Sequence, residues 1–537
     1  MRRGDRTSQR ADAELVTAPL PDSDDARHWR AAIGITAAAA LVRLLVAALL
    51  PLFPDETYYW EWSRRLAGGY FDHPPMIALL LRAGTSLASL VGAERSPVAI
   101  RLFPVIAGAI ASLATAGIAR RIGGGTAART AAIVLACLPL VATGLVLATP
   151  DAPLLATSAV GLYAVVRAFQ APARSRDALL WWIAAGVSLG LAFASKYTSI
   201  LLPVSITIAV VSRPSLRARL REPGPYLACI IATLVFLPVL RWNAAHDWIS
   251  FRFQLQHGLG TPPKGSAITR ELELVGGQLG LVSPILFVLA AHAVWRTFRE
   301  RSDDARFALA TVATVSWVFF VYSAIRKSVE ANWPAPSYVP AVALLAALPA
   351  SLGGERWLRR GVILAGVLVA IVYVQAFVPI LPLPARRDPI ARAAGWDDLA
   401  ARVEQARRSL GGESDAHAPA AKTSTAWVGA DRYQDVSELA FHLPSQPTTF
   451  CMCFGGRSNQ YELWPSFAQR ARPGDALVLV LDETADVHGT AAKVQPYFTA
   501  MRRGELVPLL RHGDTVSVRR LWLLSGYRGG WPSRDAR

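Results

Sequence analysis

The chain has 537 residues, 53% hydrophobic and only 18% charged, with a net charge of +17. Soluble proteins carry about a quarter of their residues as charged side chains. The apolar residues here fall in long blocks, so a soluble globular enzyme is excluded and a polytopic membrane protein is expected. The positive charge then reads as arginine-rich cytoplasmic loops, and nucleic acid is set aside as a partner.

Residues 1–28 are polar, with no apolar core before residue 31, so they read as a disordered cytoplasmic tail and not a signal peptide. Eleven spanning helices are expected near residues 31–50, 98–119, 127–148, 153–169, 179–194, 198–212, 226–241, 273–295, 307–325, 337–352 and 361–381. A span needs about 20 residues, so the shorter ones are trimmed at their edges, and the fold class is a helical membrane protein of 11 to 13 spans. Arg120 and Arg121, Arg174 and Arg176, Arg213 to Arg221, Arg296 to Arg306, and Arg356 to Arg360 all fall in alternate loops. By the positive-inside rule those loops and the N-terminus face the cytoplasm, and the C-terminus lies outside. Residues 76–92 carry Arg82 and follow Pro74-Pro75; counting them as a span would invert every later loop, so they read as a helix lying in the interface. The spanning domain is thus expected over 29–384, with a long first outer loop at 51–97. The tail, 385–537, is more polar. It has strand-like runs at 448–454, 476–482 and 514–524 and helical patterns at 395–410 and 434–443, which suits a small α/β extracytoplasmic domain.

Four cysteines are present. Cys137 and Cys229 lie in apolar runs and read as filler. Cys451 and Cys453 lack a second pair or a His cluster that would complete a zinc pattern. Plain packing is expected of them in preference to a strained disulfide.

Chemistry concentrates in the outer segments. Phe53-Pro54-Asp55-Glu56-Thr57-Tyr58-Tyr59-Trp60-Glu61-Trp62 follows the first apolar run, and Gly69-Tyr70-Phe71-Asp72-His73-Pro74-Pro75 follows soon after. Aromatic rings gather at the membrane–water boundary, and carboxylates kept beside a bilayer mark function. Asp55, Glu56, Asp72, His73, Glu94, Arg95, Asp151, Lys196, His246, Asp247, His257, Lys264, Arg326, Lys327 and Glu330 all fall on the same side by this topology. A carboxylate can deprotonate a hydroxyl or hold a divalent cation, and the cations can hold a phosphate. Each residue taken singly has a structural explanation: Asp55 or Asp151 as a helix cap, Lys196 reaching to headgroups. Their joint placement points instead to a substrate with a lipid tail and a phosphate head.

Asp55-Glu56-x-Tyr58-Tyr59-Trp60-x-Trp62-Ser63 with Gly69 to Pro75 resembles the bacterial membrane glycosyltransferases of the GT-C fold, in the branch of protein O-mannosyltransferases and the lipid A aminoarabinose transferase. The resemblance continues through Glu94-Arg95, Leu147-Ala148-Thr149-Pro150-Asp151, Ser195-Lys196-Tyr197-Thr198 and Phe251 to Gly258, with weaker echoes at Asp431-Arg432-Tyr433, Ser437 to Phe441 and Arg457 to Tyr461. It implies transfer of a sugar from a polyprenyl-phosphate donor to a lipid, glycan or protein acceptor at the outer face of the bacterial inner membrane. Asp55 and Asp151 match the essential acids. Arg95 and Lys196 match residues at the lipid phosphate, with Lys264 and Lys327 as further candidates. Glu56, Tyr58, Tyr59, Asp72 and His73 line the substrate. Glu94 and His257 fall where a relative holds a metal; no cofactor is required, and a divalent cation is compatible. Past His257, and at the charged loop 326–338, the chain departs from the lipid A enzyme, which implies a different sugar or acceptor. The competing readings are a lipid-linked sugar flippase or transporter, a glycan polymerase or ligase, and a noncatalytic scaffold.

Overall fold

The computed structural model describes residues 23–260, 266–300, 303–348, 354–381, 383–384, 388–411, 424–454, 457–484 and 489–531. Lys264 and residues 1–22 of the N-terminal tail lie outside the described residues.

The helices run in order as Ser23–Leu49 (α1), Pro54–Ser63 (α2), Met76–Ala88 (α3), Pro97–Cys137 (α4), the single turn Pro139–Ala142 (α5), Asp151–Gln170 (α6) and Arg176–Phe193 (α7). They continue as Leu201–Ser212 (α8), the turn Pro214–Arg217 (α9), Pro223–Ala245 (α10), Ile249–Leu259 (α11), Ala267–Val282 (α12), Pro284–Arg299 (α13), Asp304–Arg326 (α14), Ala335–Ala346 (α15) and Gly354–Phe377 (α16). Among the described residues seven helices are long and apolar enough to cross a membrane, or nine if each of two bent pairs is one span.

The differences from the expected spans have local causes. The run at 98–119 and the first half of that at 127–148, to Cys137, are joined in α4 and kink at Gly124, whose φ of 76° only glycine adopts freely. The run at 273–295 is two helices, α12 and α13, bent by 101°. Ser283 sits between them at φ 69°, its hydroxyl accepts from the Leu286 amide, and Pro284 opens the second helix. Of the run at 337–352, only residues up to Ala346 belong to α15, which at 12 residues is shorter than a bilayer core requires. Residues 76–92 form the short apolar helix α3 and its 3-10 extension. Gly84 lets α3 lie against α4: a Cβ there would stand 2.0 Å from the Ala99 carbonyl oxygen.

The two ends of the bundle differ in composition. At one end arginines bind the loops together: Arg120 pairs with Asp25, Arg213 with Asp304, Arg306 donates to the Ile122 carbonyl, and Arg219 to those of Phe169 and Ala171. At the other end lie α2, α3, α11 and the C-terminal sheet.

That sheet has five strands: Ala426–Ala430 (β1), Thr449–Cys451 (β2), Ala476–Asp482 (β3), Phe498–Arg511 (β4) and Asp514–Tyr527 (β5), in the order β2-β1-β3-β5-β4. β1 is parallel to β2 and β3, while β5 is antiparallel to β3 and β4. The central β3 is buried at every position. Helices Trp396–Gly411 (α17) and Tyr433–His442 (α18) occupy the expected helical stretches. β1 and β4 are additions to the strands read from sequence. β4 is an edge strand with Arg502, Arg503 and Pro508, a charged and Pro-bearing pattern typical of edges and unlike a core strand.

The sheet does not stand apart from the membrane helices. Tyr58, Trp60, Trp62 and Ile77 share one buried core with Trp396, Val428, Leu439 and Val480. Trp60 meets Phe441 edge-on at 5.0 Å, and Thr57 donates to Ser437 at 3.1 Å. Cys451 and Cys453 are joined as a disulfide, not packed as free thiols. The backbone turns back at Cys453, with φ 51°, and brings the two sulfurs together.

Candidate active site

α2 begins with Pro54 at its first position, and the Glu56 carboxylate returns to the Phe53 amide at 3.0 Å. Glu56 is then saturated. It accepts from Arg101 Nε at 2.8 Å and Nη2 at 2.5 Å, and from the Ala148 amide at 2.8 Å. Arg101 spends its remaining donors on the carbonyls of Ala47, Leu50 and Pro51. Both side chains are buried. Glu56, expected at the substrate, is therefore a structural residue that locks α1, α2, α4 and the segment before α6 together.

Asp55 points the other way. Its one hydrogen bond among the described residues is from Tyr433 Oη, at a long 3.4 Å. The carboxylate is solvent-accessible yet crowded by protein, as at the floor of a crevice. Loss of solvation raises its carboxyl above the usual range, against the pull of Arg392 and Arg457. Asp72 lies close by, accepting from Tyr58 Oη at 2.8 Å and Arg457 Nη2 at 2.5 Å. Burial pushes it up to about 6 despite both partners. Tyr58 also accepts from the Gln460 amide at 2.7 Å, and Gln254 donates to the Asp72 carbonyl. The Tyr59 phenol is pushed up by burial and by the charges of Asp55, Asp72 and Asp151. His73 is half-buried, with its Nδ1 buried and unpartnered among the described residues; burial, Lys196, Arg457 and His257 hold its pKa well below the usual value, so the ring is neutral.

The wall formed by the membrane helices is built on Asp151, at the start of α6. Its Oδ1 accepts from Lys196 Nζ at 2.7 Å and its Oδ2 from Asn332 Nδ2 at 2.6 Å. His257 on α11 stacks on Phe253 and tilts against Trp333, and burial with Arg457, Lys327 and Lys196 depresses its pKa. A cavity lined by Leu162, Leu202, Val312, Phe320 and the hydroxyls of Ser158 and Ser316 opens between α6, α8, α14 and α15, on the segments that carry Asp151 and Lys196.

Asp55, Tyr58, Tyr59, Asp72, His73, Asp151, Lys196, His257 and Lys327 thus share one neighbourhood. Arg95 does not join it: its guanidinium is held by the carbonyls of Phe441, Leu443 and Pro444, so it fastens the C-terminal domain to the segment before α4. Glu94 beside it is exposed. Among the described residues no group of three or more His, Cys, Asp and Glu could hold a metal ion. The cations around His257 also oppose a divalent ion there. The residues therefore do not fit the expected Glu94–His257 metal pair.

Four further site residues stand out: Tyr433, Arg457, Asn332 and Gln254. All lie in stretches that carry the family resemblance or its departures, but only the folded chain brings them to the acids.

Comparison with known proteins agrees with this architecture. A solved structure of ArnT from Cupriavidus metallidurans in the apo state superposes with a TM-score of 0.61 at 17% identity, covering 95% of this chain and 100% of that one. The chain has the ArnT-type, GT-C-like membrane fold. The same protein bound to undecaprenyl phosphate matches with a TM-score of 0.60 over 93% of this chain and 99% of that one, again at 17% identity. In sequence, residues 72–242 match the family described as dolichyl-phosphate-mannose-protein mannosyltransferase. The lipid A galacturonosyltransferase RgtD of Rhizobium johnstonii is 31% identical over 287 residues, or 53% of this chain. The match spans 58% of that relative's length. The fold implied by the resemblance is the fold observed, that of a multi-pass membrane protein.

Proposed function

We propose that the protein is an inverting membrane glycosyltransferase. It moves one monosaccharide from a polyprenyl-phosphate donor to a lipid, glycan or protein acceptor at the outer face of the bacterial inner membrane. The observation that carries this reading is Asp55: an accessible, poorly satisfied carboxylate where the membrane helices meet the C-terminal domain, within reach of the charges of Arg392 and Arg457. The solved relative that binds undecaprenyl phosphate supports the lipid donor. The relative named as a lipid A galacturonosyltransferase supports a uronic acid as the sugar and a lipid A-like acceptor.

In this reading Asp55 takes the proton of the acceptor hydroxyl as its oxygen attacks the anomeric carbon. The bond from that carbon to the phosphate oxygen breaks, and the polyprenyl phosphate leaves with the electron pair. A phosphate leaving group needs charge stabilisation more than protonation. Lys196 and Lys327 supply it. Asp151, expected as a catalytic acid, has both oxygens committed to Lys196 and Asn332, so it orients the lysine. No step is assigned to a metal.

The topology completes the reading. Eleven spans result when α4 counts twice at its Gly124 kink, α12 and α13 count as one bent span, and the short α15 is included. The arginine-bound end then faces the cytoplasm, and residues 385–537 lie outside. Mass spectrometry of envelope lipids and glycans from cells with and without the protein tests the function: loss of a single sugar, expected to be a uronic acid, names donor and acceptor. An unchanged profile, with no transfer from polyprenyl-phosphate sugars by the purified protein, would overturn it.

A further inference from the structure

Arg457 belongs to the C-terminal domain, yet its guanidinium faces the acids of the crevice. Nη2 donates to Asp72 at 2.5 Å, and the group lies 4.8 Å from the centre of the Phe253 ring and 5.9 Å from that of Tyr433. Its Nε and Nη1 have no hydrogen-bond partner among the described residues, and the side chain is 47% exposed. The segment that delivers it is held at several points. The Cys451–Cys453 disulfide closes its root, and Asn459 Nδ2 reaches both sulfurs and the Arg457 carbonyl. Gln460 accepts from the Phe71 amide at 2.7 Å and donates its own amide to Tyr58. A guanidinium tied at one edge and flanked by rings presents its free N–H groups in a fixed direction. Such a planar fork suits a carboxylate. Lys196 and Lys327, from the ends of membrane helices, already serve the phosphate in the reading above.

We propose that Arg457 is a specificity-determining residue, whose free edge binds the carboxylate of a uronic acid on the donor. This rests on the transferase reading. It makes the C-terminal domain part of the active site and assigns the disulfide to holding the selecting residue in place.

The test uses the full-length protein in lipid nanodiscs with two polyprenyl-phosphate donors, one carrying a uronic acid and one the corresponding neutral hexose. The wild type is expected to favour the uronosyl donor. Loss of one charge-assisted contact, worth about 2 kcal/mol, should raise KM for that donor about 30-fold in R457Q, with a smaller loss for the neutral donor. R457K should fall between. The double variant C451S/C453S, which keeps Arg457 but frees its segment, should lose part of the same discrimination. Equal losses on both donors in R457Q would mean that Arg457 serves only Asp72, and would overturn the proposal. So would weaker binding of sugar-free polyprenyl phosphate, which would put Arg457 on the phosphate. Wild-type protein that turns over neither donor would overturn the transferase reading. The competition-binding ratio of the two donors would then still decide the role of Arg457, by collapsing or not in R457Q.

Discussion

At the start of α2 two adjacent carboxylates enter different surroundings. Glu56 drops into a dry socket where Arg101 and two backbone amides fill its lone pairs. Asp55 opens onto a crevice with one long contact to Tyr433 and with Asp72, itself perturbed, close by. A buried charge that is fully paired is architecture; one left short of partners and shifted from its usual pKa is a candidate for chemistry. The same contrast separates Arg101, with every donor used, from Arg457, whose Nε and Nη1 have no partner among the described residues.

Substitutions at the socket should have the largest effect, and on folding. Breaking a buried, hydrogen-bonded ion pair costs about 3–5 kcal/mol, so R101L or E56A should yield little folded protein by size-exclusion chromatography of the detergent extract. Normal folding of either variant would break the contrast. At the crevice the effects should fall on rate. K196M should lower kcat/KM about 10- to 100-fold through loss of a charged contact to phosphate, and should also lower the melting temperature, because it leaves the buried Asp151 without its ion-pair partner.

Asp72 gives a pH signature. Its carboxyl is raised from 3.8 to about 6 in the folded protein, so the folded state binds the proton more tightly than the unfolded one. Its contribution to stability therefore falls as pH rises through that window. If the ionised form supports catalysis, kcat/KM rises over the same range. Opposite slopes in thermal melts and in rate, both lost in D72N, would sharpen the comparison. The smallest effect is expected for Y433F, which removes only a 3.4 Å contact to Asp55: a change of a few-fold in kcat, about 1 kcal/mol or less.

Much of the membrane architecture was legible because hydropathy and arginine placement act locally along the chain. The aromatic and acidic signature at 53–75 marked the candidate site for the same reason: most of its parts lie within about two dozen residues. What stayed hidden depends on distant segments. No spacing rule tells Glu56 from Asp55, since only Arg101, 45 residues on, makes one structural. Arg95 read as a phosphate ligand because its neighbours carry the family pattern, but its partners are carbonyls about 350 residues later. The bend at Ser283 was invisible to an average over hydropathy. Arg457 and Tyr433 reach the acids only because a separate sheet shares a core with α2.

The most direct measurement is transfer by D55N in nanodiscs, alongside its affinity for polyprenyl phosphate. Turnover should fall by roughly 10²- to 10⁴-fold, the usual contribution of a general base, while lipid binding and thermal stability stay at wild-type values. A D55N protein that transfers sugar at the wild-type rate, or that loses lipid binding and fold together, would contradict the assignment of this crevice as the reaction site.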